Sequence, residues 1–404
     1  MKVAIVGGGA AGFFASFSVK DHHPDAEVVI FEKSNHLLSK VKISGGGRCN
    51  VTHACFYPNR LSKFYPRGAK QLKKAFSIFQ PRDMVDWFLK RGILLKTEAD
   101  QRMFPITDNS QTIIDCFLKE AAYKNIRIVK QTLIKEVSPE REGYKLLLND
   151  SKEYFDKVII ASGGRPKLRG FDWLHNLGHA IVKPVPSLFT FNMPNEPVKS
   201  LMGLVVENAT VRLQGTKLQY TGPVLITHWG MSGPAILKLS SFGARLLYDK
   251  AYQFNVQINW ISIKNEHMVN EVLEVEFQNI RKKKISNANP FGLPNKMWLF
   301  LLQKAHIDSE TRWMELTKKN RNKLINVLVN DVYAVSGKTT FKSEFVTCGG
   351  INLSDVDMST MESRVCKNLY FAGEVLDIDG ITGGFNFQAS WTTGFIAGKL
   401  KSNV

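Results

Sequence analysis

Lys2-Val3-Ala4-Ile5-Val6 runs directly into Gly7-Gly8-Gly9-Ala10-Ala11-Gly12, and this junction limits what the chain can fold into more than any other stretch. The apolar run reads as a buried strand, and the glycines satisfy G-x-G-x-x-G with Gly7, Gly9 and Gly12. Gly7 permits the tight turn, Gly9 lets a pyrophosphate approach the backbone, and Gly12 lets the next helix pack close on the strand. That helix, opening at Ala10 and Ala11, turns its unpaired amides and positive dipole end toward phosphate. A second strand, Glu27-Val28-Val29-Ile30-Phe31, ends on Glu32-Lys33. Glu32 lies about 20 residues past the last glycine, where a carboxylate accepts hydrogen bonds from a ribose. A glycine triplet alone fits many ordinary turns; strand, glycines, helix, strand and acid together predict a dinucleotide-binding unit.

The chain is 404 residues long and 44% hydrophobic, enough for two or three domains with substantial cores. Its start lacks the charged, apolar and small-residue arrangement of a signal peptide, and no uncharged run approaches the ~20 residues that cross a bilayer. The expectation is a cytoplasmic protein without a membrane span. Five scattered cysteines (Cys49, Cys55, Cys116, Cys348, Cys366) form no C-x-x-C, which argues against a disulfide framework, a zinc ribbon and a dithiol reductase. No metal site is predicted.

Lys and Arg number 54 against 36 Asp and Glu, a net charge of +18 that admits an anionic partner without identifying it. The densest clusters are Arg281-Lys282-Lys283-Lys284 and Lys318-Lys319-Asn320-Arg321. Each reads first as a solvated helix face and second as a nucleic-acid contact.

The next informative stretch is Lys40 to Thr52. Gly45-Gly46-Gly47 between Lys42 and Arg48 let backbone approach a ligand closely and place cations beside it. Ser44-Gly45-Gly46-Gly47-Arg48-Cys49-Asn50-Val51-Thr52 resembles the S-G-G-G-R-C-N-x-T element of the bacterial flavoproteins called the HI0933-like, or BaiN-like, family, where it borders the flavin. Ala161-Ser162-Gly163-Gly164, closing the strand Tyr154 to Ile160, is similar to the A-T-G-G element of two-dinucleotide-fold flavoproteins. The following Arg165-Pro166-Lys167-Leu168-Arg169 departs from the serine- and glycine-rich loop expected there, which leaves substrate identity open. Near the C-terminus, Gly373-Glu374 resembles the G-[DE] element that contacts the ribityl and pyrophosphate region. Gly383-Gly384-Phe385-Asn386 opens a helix whose positive end would face the flavin pyrimidine edge.

The resemblance implies an α/β, Rossmann-like (two-dinucleotide-binding-type) FAD domain with an inserted β domain and a helical subdomain. The expected boundaries are 1–186 and 337–404 for the FAD domain, 187–263 for the β-rich insert and 264–336 for the helical part. It implies FAD held by Gly7, Gly9, Ala10, Ala11, Gly12, Glu32, Lys33, Lys40, Gly46, Gly47, Arg48, Cys49, Asn50, Ala161, Ser162, Gly163, Gly373, Glu374, Gly384, Phe385 and Asn386. Arg48, Asn50 and Asn386 are expected near the ring. His228, in Thr227-His228-Trp229-Gly230-Met231-Ser232-Gly233-Pro234, is a candidate for proton transfer, although a turn before a helix explains the same residues.

The predicted activity is hydride transfer between flavin N5 and a small organic substrate. No second G-x-G-x-x-G follows a strand, so NAD(P)H, if it is the donor, would reach the flavin through the substrate cavity. Two other classes stay in view: a flavoprotein acting on nucleic acid, suggested by the charge, and a non-catalytic flavin-binding module.

Overall fold

The computed structural model describes residues 1–149, 151–340 and 346–401. The chain divides into two compact units, one formed by Met1–Ser187 with Phe341–Val404 and the other by Leu188–Thr340.

The first unit is built on a seven-stranded sheet. Lys2–Val6 lies at the centre of its five parallel strands, flanked by Glu27–Phe31 on one side and Lys157–Ile160 on the other. Arg127–Val129 extends the first side and Leu369–Phe371 the second, both also parallel. Two short antiparallel strands, Glu362–Ser363 and Val356–Asp357, finish that edge. Val3, Ala4 and Ile5 are fully buried, as a strand covered on both faces requires. Chain order reverses about the central strand, so the crevice beyond the carboxyl ends of Lys2–Val6 and its neighbours is where an α/β sheet of this kind binds its ligand.

The helix Ala10–His22 is buried continuously from Ala11 to Val19. The sheet covers one side and the C-terminal helix Phe385–Gly398 the other. The two helices approach through glycine: a Cβ on Gly394 would stand 2.7 Å from the Ala11 carbonyl oxygen, and one on Gly398 2.4 Å from that of Ala15. Phe14, Phe17, Trp87, Phe117 and Trp391 interlock around this crossing, mostly in tilted and edge-to-face pairs.

The helix Ser110–Tyr123 is capped by the Asn109 side chain accepting from Gln111 N at 2.9 Å. The glycine-rich stretch after Leu38 is a kinked helix, Ser39–Gly47, that leaves helical geometry at Ser44, Gly45 and Gly46.

In the second unit the order of strands is Asp331–Ser336, Gln253–Asn259, Val205–Leu213, Gln219–Thr227, Gly230–Ser232, Thr190–Asn192 and Lys338–Thr339. The stretches read as β insert and helical subdomain share one core, with Val256, Ile258, Trp298, Leu301, Trp313, Leu324 and Leu328 all buried in it. Asp331–Ser336, read as helical, is instead a strand antiparallel to Gln253–Asn259; Asp331, Tyr333 and Val335 alternate inward, the period of a half-buried strand. Among the described residues no helix is long and apolar enough to cross a membrane.

Candidate dinucleotide-binding site

Beyond the central strand the first glycine loop has the geometry its spacing predicts. Gly7 sits at φ 120°, and a Cβ there would be 2.3 Å from the Ala161 carbonyl oxygen; one on Gly12 would be 2.0 Å from that of Gly7. Gly9 differs, because its Cβ direction meets nothing within 4 Å. That open side belongs to the residue expected to face a pyrophosphate. Gly9 also stands at the N-cap of Ala10–His22 with no side-chain cap and no acid in the first turn, leaving amides and a positive end for an anion.

Other glycine loops of this unit show the same openness. Gly46, Gly47 and Gly163 have positive φ and empty Cβ directions. Side chains there would need left-handed backbone and would fill the space a ligand uses. Gly373, at φ 76°, is held by its amide donating to Thr393 Oγ1 at 2.8 Å, and a Cβ would meet Ala11 at 2.7 Å. Beside it the buried Thr347 hydroxyl has no hydrogen-bond partner among the described residues, an orphan a bound cofactor could satisfy. The residues present therefore fit a dinucleotide.

Glu32 ends its strand at the glycine loop. One carboxylate oxygen accepts from Gly8 N at 2.9 Å and the other from Ser34 N at 2.9 Å, which orients it while each oxygen keeps acceptor capacity. Glu32 and Lys33 line a cleft with Gly7, Thr132, Leu133, Ser162, Arg165 and Trp173. Arg165, from the loop that departs from the family pattern, brings a guanidinium beside Glu32. Burial lowers its pKa while Glu32 opposes, and its Nε has no partner among the described residues. Sequence reasoning assigned Arg165 no role; the departure itself was the signal.

The remaining expected residues sort by what they touch. Lys40 pairs with Glu374 at 2.5 Å, and Glu374 also accepts from Thr347 N at 2.9 Å. Arg48 is turned to Glu98 at 2.5 Å and Asp108 at 3.5 Å, with its guanidinium 4.0 Å from the Phe104 ring centre, so two carboxylates offset its charge. Cys49 is fully buried, and burial pushes its thiol up to about 12, against a weaker opposing hydrogen bond with Ser44. Asn50 is buried; with its amide oriented so that both ends are satisfied, it donates to Thr52 O at 3.0 Å and accepts from Gly384 N at 2.9 Å. Asn386 spends both ends of its amide on Gly380, at 2.8 and 2.9 Å, and so braces a loop. Phe385 O accepts from the buried Tyr65 hydroxyl at 2.6 Å. His228 belongs to the other unit, exposed in the turn between two strands with its ring 4.2 Å from that of Trp229.

One titratable residue in this unit went unremarked in the sequence. His53 directly follows the S-G-G-G-R-C-N-x-T element, a position that could have drawn notice. Its Nδ1 lies 3.1 Å from Gly383 O, and its ring lies 4.5 Å from Phe385 and 5.9 Å from Phe64. It thus stands half-buried at the start of the C-terminal helix.

The sequence model of the HI0933-like protein Rossmann domain matches residues 1–400. A ribosomal RNA dihydrouridine synthase of Escherichia coli is 28% identical over 399 residues, covering 96% of this chain and 95% of that protein. A 3-dehydro-bile acid delta(4,6)-reductase of Clostridium scindens is 24% identical over 406 residues, covering 98% of each. Among solved structures, a 3-ketosteroid delta1-dehydrogenase from Sterolibacterium denitrificans shares the fold, with a TM-score of 0.50 and 11% identity over 98% of each chain.

Proposed function

The chain belongs to the HI0933-like family and is an FAD-dependent oxidoreductase, and from that premise we propose that it reduces a carbon–carbon double bond conjugated to a carbonyl. The observation that carries this reading is what two relatives, each matched over nearly its whole length, have in common. One is named for reducing double bonds of a 3-dehydro bile acid, the other for making dihydrouridine, whose ring has lost the double bond beside a carbonyl. In an alkene conjugated to a carbonyl, the carbonyl polarises the double bond, so its β-carbon takes a hydride and its α-carbon a proton. FAD, once reduced, supplies the hydride, and NAD(P)H is the donor we propose for reducing it.

The protein's part is position, polarity and the proton. The start of Phe385–Gly398 has no acid in its first turn, and its positive end favours negative charge developing nearby. Asn50 holds that start through Gly384. His53 donates from Nδ1 to the Gly383 carbonyl, which can only accept, and this fixes the ring of the side chain we assign as the proton source. Phe64 and Phe385 pack beside the ring. In this reading Arg48, tied to Glu98 and Asp108, anchors the glycine loop.

A specific observation favours RNA as the substrate: the net charge of +18 suits a polyanion, and the 28% identical relative is named for ribosomal RNA. The experiment that tests both levels is anaerobic. The flavin is reduced with NADH or NADPH, then mixed with a cyclic enone or with a uridine-containing RNA hairpin. Recovery of the oxidised flavin spectrum with formation of the saturated product supports alkene reduction, and the substrate that restores it identifies the class. Bound FAD that neither substrate reoxidises would sink the proposal.

A further inference from the structure

We propose that the second unit carries an RNA-docking surface formed by two basic segments that are separate in sequence and joined by the fold. The inference rests on the RNA reading above and extends it to a place on the molecule outside the dinucleotide site. Arg281-Lys282-Lys283-Lys284 follows the helix Glu266–Ile280, and Lys318, Lys319 and Lys323 lie in the first turns of the helix Lys318–Val329. The chain returns past the first segment before entering the second helix. Ile285 N donates to Thr311 O at 2.8 Å, Trp313 N to Lys283 O at 3.2 Å and Met314 N to Arg281 O at 3.0 Å.

The two helices run antiparallel. Near the start of the second, Arg321 reaches Glu274 at 3.8 Å and Asn270 O at 3.5 Å; at its far end Asn330 bonds Glu266 at 3.3 Å. The beginning of Lys318–Val329 therefore lies toward the end of Glu266–Ile280, where Arg281 to Lys284 emerge. One face gathers both clusters.

These cations are exposed, and most are not neutralised. Lys284 pairs with Glu310 and Arg321 with Glu274, while Glu315, which accepts from the Arg312 amide at 3.1 Å, remains an exposed negative charge beside them. Arg281, Lys282, Lys283, Lys318, Lys319 and Lys323 have no carboxylate partner among the described residues. Holding like charges together on a packed framework is electrostatically unfavourable unless a partner of dense negative charge compensates. A phosphate backbone does so by releasing its counterions, a gain that depends on charge rather than base sequence.

The test uses the full-length holoprotein and a labelled uridine-containing RNA hairpin, with affinity measured across a salt series. Arg281→Glu combined with Lys283→Glu and Lys319→Glu should leave flavin content and melting temperature unchanged, weaken binding at least about tenfold, and flatten the salt dependence by about two to three counterions. Lys318→Gln with Lys323→Gln, a milder change on the helix alone, should act in the same direction by about one to two counterions. Wild-type binding that both variants retain, slope included, overturns the surface and leaves the RNA reading standing. Failure of the wild-type protein to bind RNA at any salt overturns both. Capture by phosphatidylserine vesicles in preference to the hairpin would assign the surface to a membrane and overturn the proposal.

Discussion

Asn50 accepts a hydrogen bond from the Gly384 amide at 2.9 Å, joining the glycine-rich loop of the N-terminal half to the first residue ahead of the C-terminal helix. More than 300 residues of chain separate them. Since Asn50 also donates to Thr52 O at 3.0 Å, one buried amide sets the spacing of two glycine-rich segments. Asn50→Ala leaves the Gly384 amide and Thr52 carbonyl without that partner and should cost about 1–3 kcal/mol. Chemical denaturation of the apoprotein measures this, and the flavin should also dissociate faster from the variant.

Gly9 and Gly12 should respond in opposite ways. A side chain at Gly9 enters open space at an ordinary φ of −96°, so Gly9→Glu should fold normally and lose FAD, its carboxylate occupying and repelling the pyrophosphate position. Gly12→Ala places a methyl 2.0 Å from the Gly7 carbonyl and should damage the fold itself. Flavin absorbance beside circular-dichroism melting separates the two, and retention of FAD by Gly9→Glu would refute the assignment of the loop.

His53, as the proton source, should matter in only one half of the catalytic cycle. His53→Asn should leave the rate of flavin reduction by donor unchanged and slow alkene reduction by about 10²- to 10⁴-fold. Stopped-flow measurement of each half-reaction decides this, and equal slowing of both would indicate a structural role.

Asp379 is fully buried, paired with Arg67 and accepting from Ser187 Oγ at 2.7 Å. Burial raises its carboxyl above the ordinary carboxylate value, with Arg67 pulling the other way. Arg67→Met removes the opposing cation, leaves a buried charge without its ion-pair partner, and should destabilise by about 3–5 kcal/mol at neutral pH. The freed carboxyl then titrates higher still in the folded state. The folded variant holds a proton that the unfolded chain has released, so its stability is greatest below the unfolded carboxyl pKa and falls as pH rises through the folded value. Denaturant midpoints at pH 5 and pH 8 should therefore show the variant recovering at pH 5; equal deficits would argue against the pair.

Cys49 should be inert despite its cationic neighbour. With its thiol pushed up to about 12 by burial, it stays protonated across the physiological range. Iodoacetamide should not label it in the native protein at pH 8. The raised pKa makes its stability contribution complete below the unfolded thiol value of ~8.5 and lost as pH climbs toward 12. Labelling of Cys49 at a rate matching a free thiol would contradict this environment.

The dinucleotide-binding half was legible because its demands are local. Gly7, Gly9 and Gly12 answer to backbone geometry within a few residues, and Glu32 to the length of one strand–helix–strand unit. The extra strand at Asp331–Ser336 was masked by the charged helical stretch before it, and its pairing with Gln253–Asn259 depends on a neighbour over 70 residues away. The same limit applied to side-chain partners. Nothing near Arg48 in sequence indicates Glu98 and Asp108, and nothing near Asn386 except its own turn indicates that Gly380 consumes its amide.

Composition and spacing thus pointed to a dinucleotide-binding unit and a strongly basic molecule, and the family resemblance added which other segments are expected around the cofactor. Which side chains face the cofactor, which are spent on bracing, and whether scattered cations become one surface were decided by tertiary contacts. The reason is physical: a glycine's freedom belongs to its own backbone, whereas a charge or a proton donor takes its role from whatever the fold brings within a few ångströms.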